Sequence, residues 1–324
     1  MRNLIAEYID QTLPRTHSRP EIQHLYDLMR DYPQRGGKML RSQLLLMAAQ
    51  AFGGTFDKAL PLAAALELFQ NWVLIHDDIE DESEDRRGKP ALHRLHGVPL
   101  ALNAGDALHV YMWQVVHAAG VAGAFEEFIQ TIHRTAEGQH VDLSWVVNGT
   151  WDLSEQDYLA MVHLKTAYYT VVAPFRLGML AAGLTPDPEI EAAGLKLGAA
   201  FQIRDDVLNL IGDIKDYGKE IAGDLLEGKR TLVLLQWLGQ ASAEQKSFFL
   251  KVMSLPREQK SPEDIAQILQ WLQDSGCIQH AQNIADQEAR EGLHLMGQVL
   301  SRAQDQQVAS QILALLQQLA TRTA

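Results

Sequence analysis

The sequence predicts an all-α bundle with long central helices. Three observations carry this. Apolar residues recur at three- and four-residue spacing along nearly the whole chain. The interruptions are short and built from glycine and proline. No run sustains the strict alternation of a strand.

Taken in order, the helical pattern covers residues 22–32, 39–52, 58–82, 100–119, 124–147, 155–183 and 189–212. It resumes over 232–239, 243–253, 262–275, 280–296 and 309–320. Breaks fall at Gly53-Gly54, Gly88-Lys89-Pro90, Gly97, Gly149, Pro186-Asp187-Pro188 and Leu255-Pro256. Ser154 before Glu155 and Asp157, and Ser261 before Pro262 and Glu263, read as helix starts. The most apolar stretch, residues 60–75, is interrupted by Glu67, Gln70 and Asn71, which is too polar for a bilayer span. It reads as a buried helix.

The chain has 324 residues, 47% of them hydrophobic, with no Pro/Gly/Ser-rich linker, so one domain over 1–324 is expected. A formal net charge of -13 argues against nucleic acid as a partner. Cys277 is the only cysteine, which excludes an internal disulfide and suits a small core residue. The N-terminus lacks an apolar signal region. A cytoplasmic location is expected.

Two carboxylate clusters stand out. Asp77-Asp78-Ile79-Glu80-Asp81 ends the apolar helix pattern, and Asp205-Asp206-Val207-Leu208-Asn209 lies in another. Residues four apart share a helix face, so Asp77 pairs with Asp81, and Asp205 with Asn209. A lone Asp-Asp pair is most often a solvated helix end. Here each pair follows apolar helix, has a counterpart, and leads into cations. Arg86, Arg87 and Lys89 follow the first; Lys215, Lys219, Lys229 and Arg230 follow the second. Carboxylates for a hard divalent cation, with Arg and Lys for remaining phosphate oxygens, suit a metal-bridged diphosphate.

A third feature is Arg35-Gly36-Gly37-Lys38-Met39-Leu40-Arg41, whose glycines permit close backbone approach and whose Lys38 and Arg41, three apart, are expected on one face of the first turn of the helix that opens there, suiting a second anion. Alone, such a loop arises often by chance. The fourth is Lys165-Thr166 inside an apolar helix, where a lysine either snorkels to the surface or reaches a diphosphate.

These features in this order resemble the trans-isoprenyl diphosphate synthases, the farnesyl and geranylgeranyl diphosphate synthase family, over about residues 35–235. Further matching blocks are Gly105-Asp106-Ala107-Leu108, Gly138-Gln139-x-x-Asp142, Phe201-Gln202-x-x-Asp205-Asp206 and Gly223-Asp224-x-x-Glu227-Gly228-Lys229. The resemblance implies a single large helical bundle of the isoprenoid synthase type with a central active-site cavity. It implies condensation of isopentenyl diphosphate with an allylic diphosphate, with Mg2+ as cofactor, three ions when diphosphate is bound. A homodimer is the family's usual state.

By the same resemblance, Asp77, Asp81 and Asp205 hold Mg2+ directly, and Asp78 and Asp206 assist through water or from behind. Arg86, Lys165, Lys219 and Lys229 hold the allylic diphosphate. Lys38, Arg41, Arg87 and Gln70 hold isopentenyl diphosphate. Thr166 and Gln202 present oxygens near the developing carbocation. Phe69, Trp72 and Val73, just before the first motif, form the floor that sets product length; alternatively, Trp72 only packs the core. Two departures from the family pattern are Asn209 for a third Asp and Ser42 for Pro.

A geranylgeranyl product is favoured, with farnesyl or longer as alternatives. A terpene cyclase would leave the Gly36–Arg41 loop (36–41) unexplained, and a non-catalytic subunit would be expected to lose one Asp motif. A His-Asp phosphohydrolase has His93 and His96 as candidate further ligands but leaves the Arg-rich blocks without a role, and a di-iron bundle needs two Glu-x-x-His pairs where only Glu21-Ile22-Gln23-His24 fits. The chain after about residue 240 carries no recognisable chemistry.

Overall fold

The computed structural model describes residues 1–212 and 222–320. It is helical, as the apolar spacing predicts, apart from one small hairpin among the described residues. In chain order the helices are α1 (Arg2–Thr12), α2 (Pro20–Gln34), α3 (Leu40–Ala51), α4 (Phe56–Glu80), α5 (Leu92–His96), α6 (Val98–Ala119) and α7 (Ala124–Val147). Then come α8 (Glu155–Val162), a π-helical stretch (His163–Val172), α9 (Ala173–Ala181), α10 (Glu189–Ile211) and α11 (Gly223–Glu227). The last are α12 (Leu232–Gln240), α13 (Ala243–Met253), α14 (Pro262–Asp274), α15 (Cys277–Leu300) and α16 (Gln306–Ala320).

The chain forms two compact units, each assembled from separate stretches of sequence. The first comprises residues 1–131, 169–190 and 296–314. Its centre is α4, whose residues from Leu62 to Asn71 are all buried, as a helix apolar around its whole circumference must be. α4 packs against α3 and α6, and α3 against α9. Gly178 allows the last contact: a Cβ there would lie 2.7 Å from the backbone oxygen of Leu45.

The second unit comprises residues 132–168, 191–295 and 315–324. Its core joins Tyr158, Ile203, Leu225, Trp237, Phe249 and Leu272. Cys277 belongs to this core, fully buried, as a lone cysteine was expected to be. The Ser154 and Ser261 starts are as predicted. Ser154 and Asp157 form a reciprocal capping box, and Ser261 accepts from the Asp264 amide with Pro262 in the first turn.

Three details differ from the sequence expectation. Residues 85–90 form a two-stranded hairpin, with Asp85 opposite Pro90 and Arg86 opposite Lys89. Its two central residues, Arg87 and Gly88, have φ of 55° and 73°, the geometry of the tight turn that matches strand twist. Strands of two residues are too short to leave an alternation signal. Second, α3 opens at Leu40, so Lys38 stands in the loop before the helix, not on its first turn. Third, residues 163–172 are π-helical, a widening that hydrophobic spacing does not register.

Candidate active site

In the first unit, α4 delivers the first carboxylate cluster at its C-terminal end. The amide of Asp81 donates to the carbonyl of Asp77 at 2.8 Å, so both lie on one helix face as predicted. The side chain of Asp77 is a quarter exposed and lies 3.7 Å from Arg86 Nη2. Asp78 is different. It is fully buried, and Arg86 donates to it through Nε (2.9 Å) and Nη2. The Tyr32 hydroxyl donates to Asp78 at 2.5 Å, and that same hydroxyl accepts from the Leu92 amide. Burial and the adjacent carboxylate push the Tyr32 phenol far above its ordinary value, so it stays a donor.

Arg86 and Arg87 hold different partners. Arg87 pays for its left-handed backbone with fixed contacts. Its Nη1 donates to the Tyr32 carbonyl at 2.6 Å and to Asn71 Oδ1 at 3.2 Å. Gly37 lies directly against it, since a Cβ there would be 3.3 Å from Arg87 Nη2. The glycine loop and the second hairpin arginine are therefore neighbours. Arg41 donates from Nη2 to the Tyr169 hydroxyl (3.1 Å) and to Thr170 Oγ1 (2.9 Å), and lies over the Tyr169 ring. The buried Gln70 has no hydrogen-bond partner on Oε1. Lys38 is exposed, Phe69 fully buried, and Trp72 and Val73 half-buried.

Ser42 does more than open a helix. It is buried, lies 2.7 Å from Glu67 Oε1 and donates to the Ala63 carbonyl at 2.9 Å. One hydroxyl proton cannot serve both contacts. Burial pushes the Glu67 carboxyl up, against the Ser42 hydrogen bond and the nearby Arg41 and Arg87 charges.

The second unit repeats the arrangement. Asp205 is half-buried, whereas Asp206 is buried and receives the Tyr158 hydroxyl at 2.6 Å and Gln202 Nε2 at 2.7 Å. Burial pushes the Asp206 carboxyl up to about 6 despite those two donors. It pushes the Tyr158 hydroxyl well above its ordinary value. In each motif, then, the first aspartate is accessible and the second is pinned by a buried tyrosine. Gln202 spends its amide nitrogen on Asp206.

Lys165 Nζ lies 2.5 Å from Asp142 Oδ2. The π-helical turn carrying Lys165 and the buried Thr166 is packed between two glycines. A Cβ on Gly138 would fall 2.2 Å from the Lys165 nitrogen, and one on Gly198 would fall 2.4 Å from the Ala167 Cα. Asn209 is buried. Its Oδ1 accepts the Asp224 amide at 3.1 Å, so it caps α11.

The end of α11 is held from the chain after residue 240. Lys260 Nζ donates to the carbonyls of Leu225 (3.3 Å) and Leu226 (2.6 Å). Lys229 and Arg257 both reach Glu227, at 3.1 Å and 3.6 Å. Arg230 donates to the Thr150 carbonyl and lies over the Trp151 ring. Burial, then Arg257 and Arg230, pulls Lys260 down to about 8. Between that value and the ordinary 10.5, the unfolded chain holds a proton the folded chain has released. Stability therefore rises with pH across this window, by about 3 kcal/mol at most. Urea midpoints at about pH 7.5 and about pH 10 should rise for the wild type and stay flatter for Lys260→Met. Parallel lines for the two proteins would contradict this.

Lys219 lies outside the described residues, as does Lys215. Among the described residues, no helix is long and apolar enough to cross a membrane. None of their His, Cys, Asp and Glu side chains form a ready-made group of three for a metal ion. The residues missed by sequence reasoning are Tyr32, Tyr158 and Asn71 as anchors and Lys260 as a clamp. Only Asp142 among the newly important partners carried a signal, in the Gly138-Gln139-x-x-Asp142 block.

An all-α scaffold carrying two tyrosine-anchored Asp-Asp motifs defines a diphosphate-handling helical enzyme. The polyprenyl synthetase family profile matches residues 22–272, and the chain belongs to that family, the trans-isoprenyl diphosphate synthases. It is a trans-prenyltransferase. It is 31% identical over 313 residues to the geranylgeranyl diphosphate synthase of Sulfolobus acidocaldarius, covering 94% of this chain and 90% of that one. It is 34% identical over 262 residues to the geranylfarnesyl diphosphate synthase of Aeropyrum pernix, covering 77% and 80%. The crystal structure of polyprenyl synthase from Caulobacter crescentus, complexed with calcium and isoprenyl diphosphate, superposes with a TM-score of 0.86. That pair is 26% identical, and the match covers 99% of this chain and 96% of the other.

Proposed function

We propose that this chain joins isopentenyl diphosphate to an allylic diphosphate, 1′-4 and head-to-tail, in a Mg2+-dependent reaction that stops at the C20 product, geranylgeranyl diphosphate. The observation that carries this reading is the paired motif. Each presents one accessible aspartate beside a second that a buried tyrosine holds rigid. The donors are carboxylate oxygens, which fit a hard divalent cation shared with substrate phosphates. The calcium in the Caulobacter crescentus complex and the geranylgeranyl name of the Sulfolobus acidocaldarius relative support the metal and the product.

Bound Mg2+ would neutralise the leaving diphosphate as the allylic C–O bond breaks. Asp77, Asp81 and Asp205 would hold it, and Asp78 and Asp206 would fix the geometry of the helix ends that present those ligands. Arg86, Lys165, Lys219 and Lys229 would hold the allylic diphosphate. Lys38, Arg41, Arg87 and Gln70 would hold isopentenyl diphosphate, Gln70 by donating through its amide nitrogen. Thr166 and Gln202 would present oxygens to the allyl cation while the apolar surroundings exclude water. Phe69, Trp72 and Val73 would stop growth.

Residues 1–324 would work as one domain in the cytoplasm, as a homodimer. Leu102, Val110, Phe125 and Ile129 are all large, apolar and between 43% and 55% exposed, a surface that a second copy would cover. Diphosphate release should require an allylic diphosphate, isopentenyl diphosphate and Mg2+ together. Release from the allylic diphosphate alone would point to a terpene cyclase instead.

A further inference from the structure

The short helix α11 lies between the second aspartate motif and Lys229, and it is tied at both ends. At its start, the Ala222 amide donates to the Asn209 carbonyl at 2.8 Å and the Asp224 amide to Asn209 Oδ1 at 3.1 Å. At its end, the Gly228 amide donates to the Leu225 carbonyl (3.2 Å) and the Lys229 amide to the Asp224 carbonyl (2.9 Å). Gly228, with a φ of 72°, closes this pair as a Schellman turn. The Leu226 carbonyl accepts from Lys260 Nζ at 2.6 Å, and the same ammonium reaches the Leu225 carbonyl at 3.3 Å. Arg257 stands one turn earlier, its carbonyl accepting the Lys260 amide at 3.2 Å. Arg257 Nη1 lies 3.6 Å from Glu227 Oε1, while Lys229 Nζ lies 3.1 Å from Glu227 Oε2. One carboxylate, its side chain only 14% exposed, thus carries a cation on each oxygen.

We propose that Arg257 and Lys260 are positioning residues for the allylic diphosphate and act through Lys229. Lys260 fixes the backbone from which Lys229 extends, and Arg257 keeps Glu227 compensated when Lys229 turns to phosphate. This rests on the reading that Lys229 holds the allylic diphosphate. A carboxylate paired with Lys229 competes with that substrate for the ammonium. Leaving a largely buried carboxylate without a cation is costly, so Lys229 is released readily only if a second cation stays behind. Arginine suits that task because it holds its charge at every working pH. The part of Lys260 is geometric: its grip on two carbonyls of the last turn stops α11 from fraying where Lys229 follows. Both residues belong to the second unit, whereas Lys38, Arg41 and Arg87 belong to the first. The effect is therefore confined to the allylic substrate.

The test is the KM for each diphosphate, measured with farnesyl diphosphate, isopentenyl diphosphate and Mg2+. Arg257→Ala and Lys260→Met should each raise the KM for farnesyl diphosphate about tenfold and that for isopentenyl diphosphate less than about twofold. Arg257→Lys should recover most of the affinity, because a cation remains beside Glu227. Arg257→Ala added to Lys229→Ala should cost little beyond Lys229→Ala alone, since the arginine acts through that lysine. An unchanged farnesyl diphosphate KM in Arg257→Ala would overturn the proposal. So would an equal rise in both KM values, the mark of a merely structural role, or fully additive losses in the double variant. Arg257→Ala decides the matter alone if Lys260→Met does not fold. A wild type that makes no prenyl product at all would instead refute the function proposed above.

Discussion

Asp77→Ala should lower kcat by on the order of 10³ while leaving the protein almost as stable as before. Both halves follow from where the side chain sits. Its carboxylate is a quarter exposed, its contact with Arg86 is long at 3.7 Å, and Arg86 keeps its bond to Asp78 when Asp77 is removed. On the proposed reading, what is lost is a metal ligand at the position where the leaving diphosphate gains charge. A thermal melt beside a steady-state assay separates the two effects. An unfolded variant, or one with kcat within a few-fold of wild type, would contradict the assignment.

Asp78→Ala should behave in the opposite way, with a stability loss of about 3–5 kcal/mol. Asp78 is fully buried, and it receives Arg86 through two nitrogens as well as the Tyr32 hydroxyl. Without it, a guanidinium and a phenol remain buried without their acceptor, which costs far more than a lost surface pair. Tyr32→Phe should lose less, about 1–3 kcal/mol, because the Arg86 contact remains while the buried Leu92 amide loses its acceptor. Chemical denaturation of the three proteins orders these losses. Equal stability of Asp78→Ala and wild type would refute the anchoring role. Adjacent residues in one motif thus divide chemistry from support.

The division could not be read from the sequence, where Asp77 and Asp78 are equivalent. The helical spacing did place Asp77 and Asp81 on one face, and the burial of residues 62–71 was visible in their composition. The tyrosine anchors were not visible, because Tyr32 and Tyr158 stand 46 and 48 residues from the aspartates they hold. No local pattern links such positions. The acceptance of the Asp224 amide by Asn209 was not visible either, because it depends on where the chain returns at residue 222. The left-handed Arg87 was hidden for a different reason. An arginine tolerates that backbone only because Tyr32 and Asn71 hold its side chain. The clamp by Lys260 came from the stretch with no recognisable chemistry, because its acceptors are backbone carbonyls, which carry no sequence signature.

The central claim is prenyl elongation, and product chromatography tests it most directly. The protein is incubated with isotopically labelled isopentenyl diphosphate, Mg2+ and, in turn, dimethylallyl, geranyl and farnesyl diphosphate. The products are then dephosphorylated and separated by chain length. The account predicts labelled geranylgeraniol from every primer the enzyme accepts. Label remaining wholly in isopentenyl diphosphate with all three primers would contradict it.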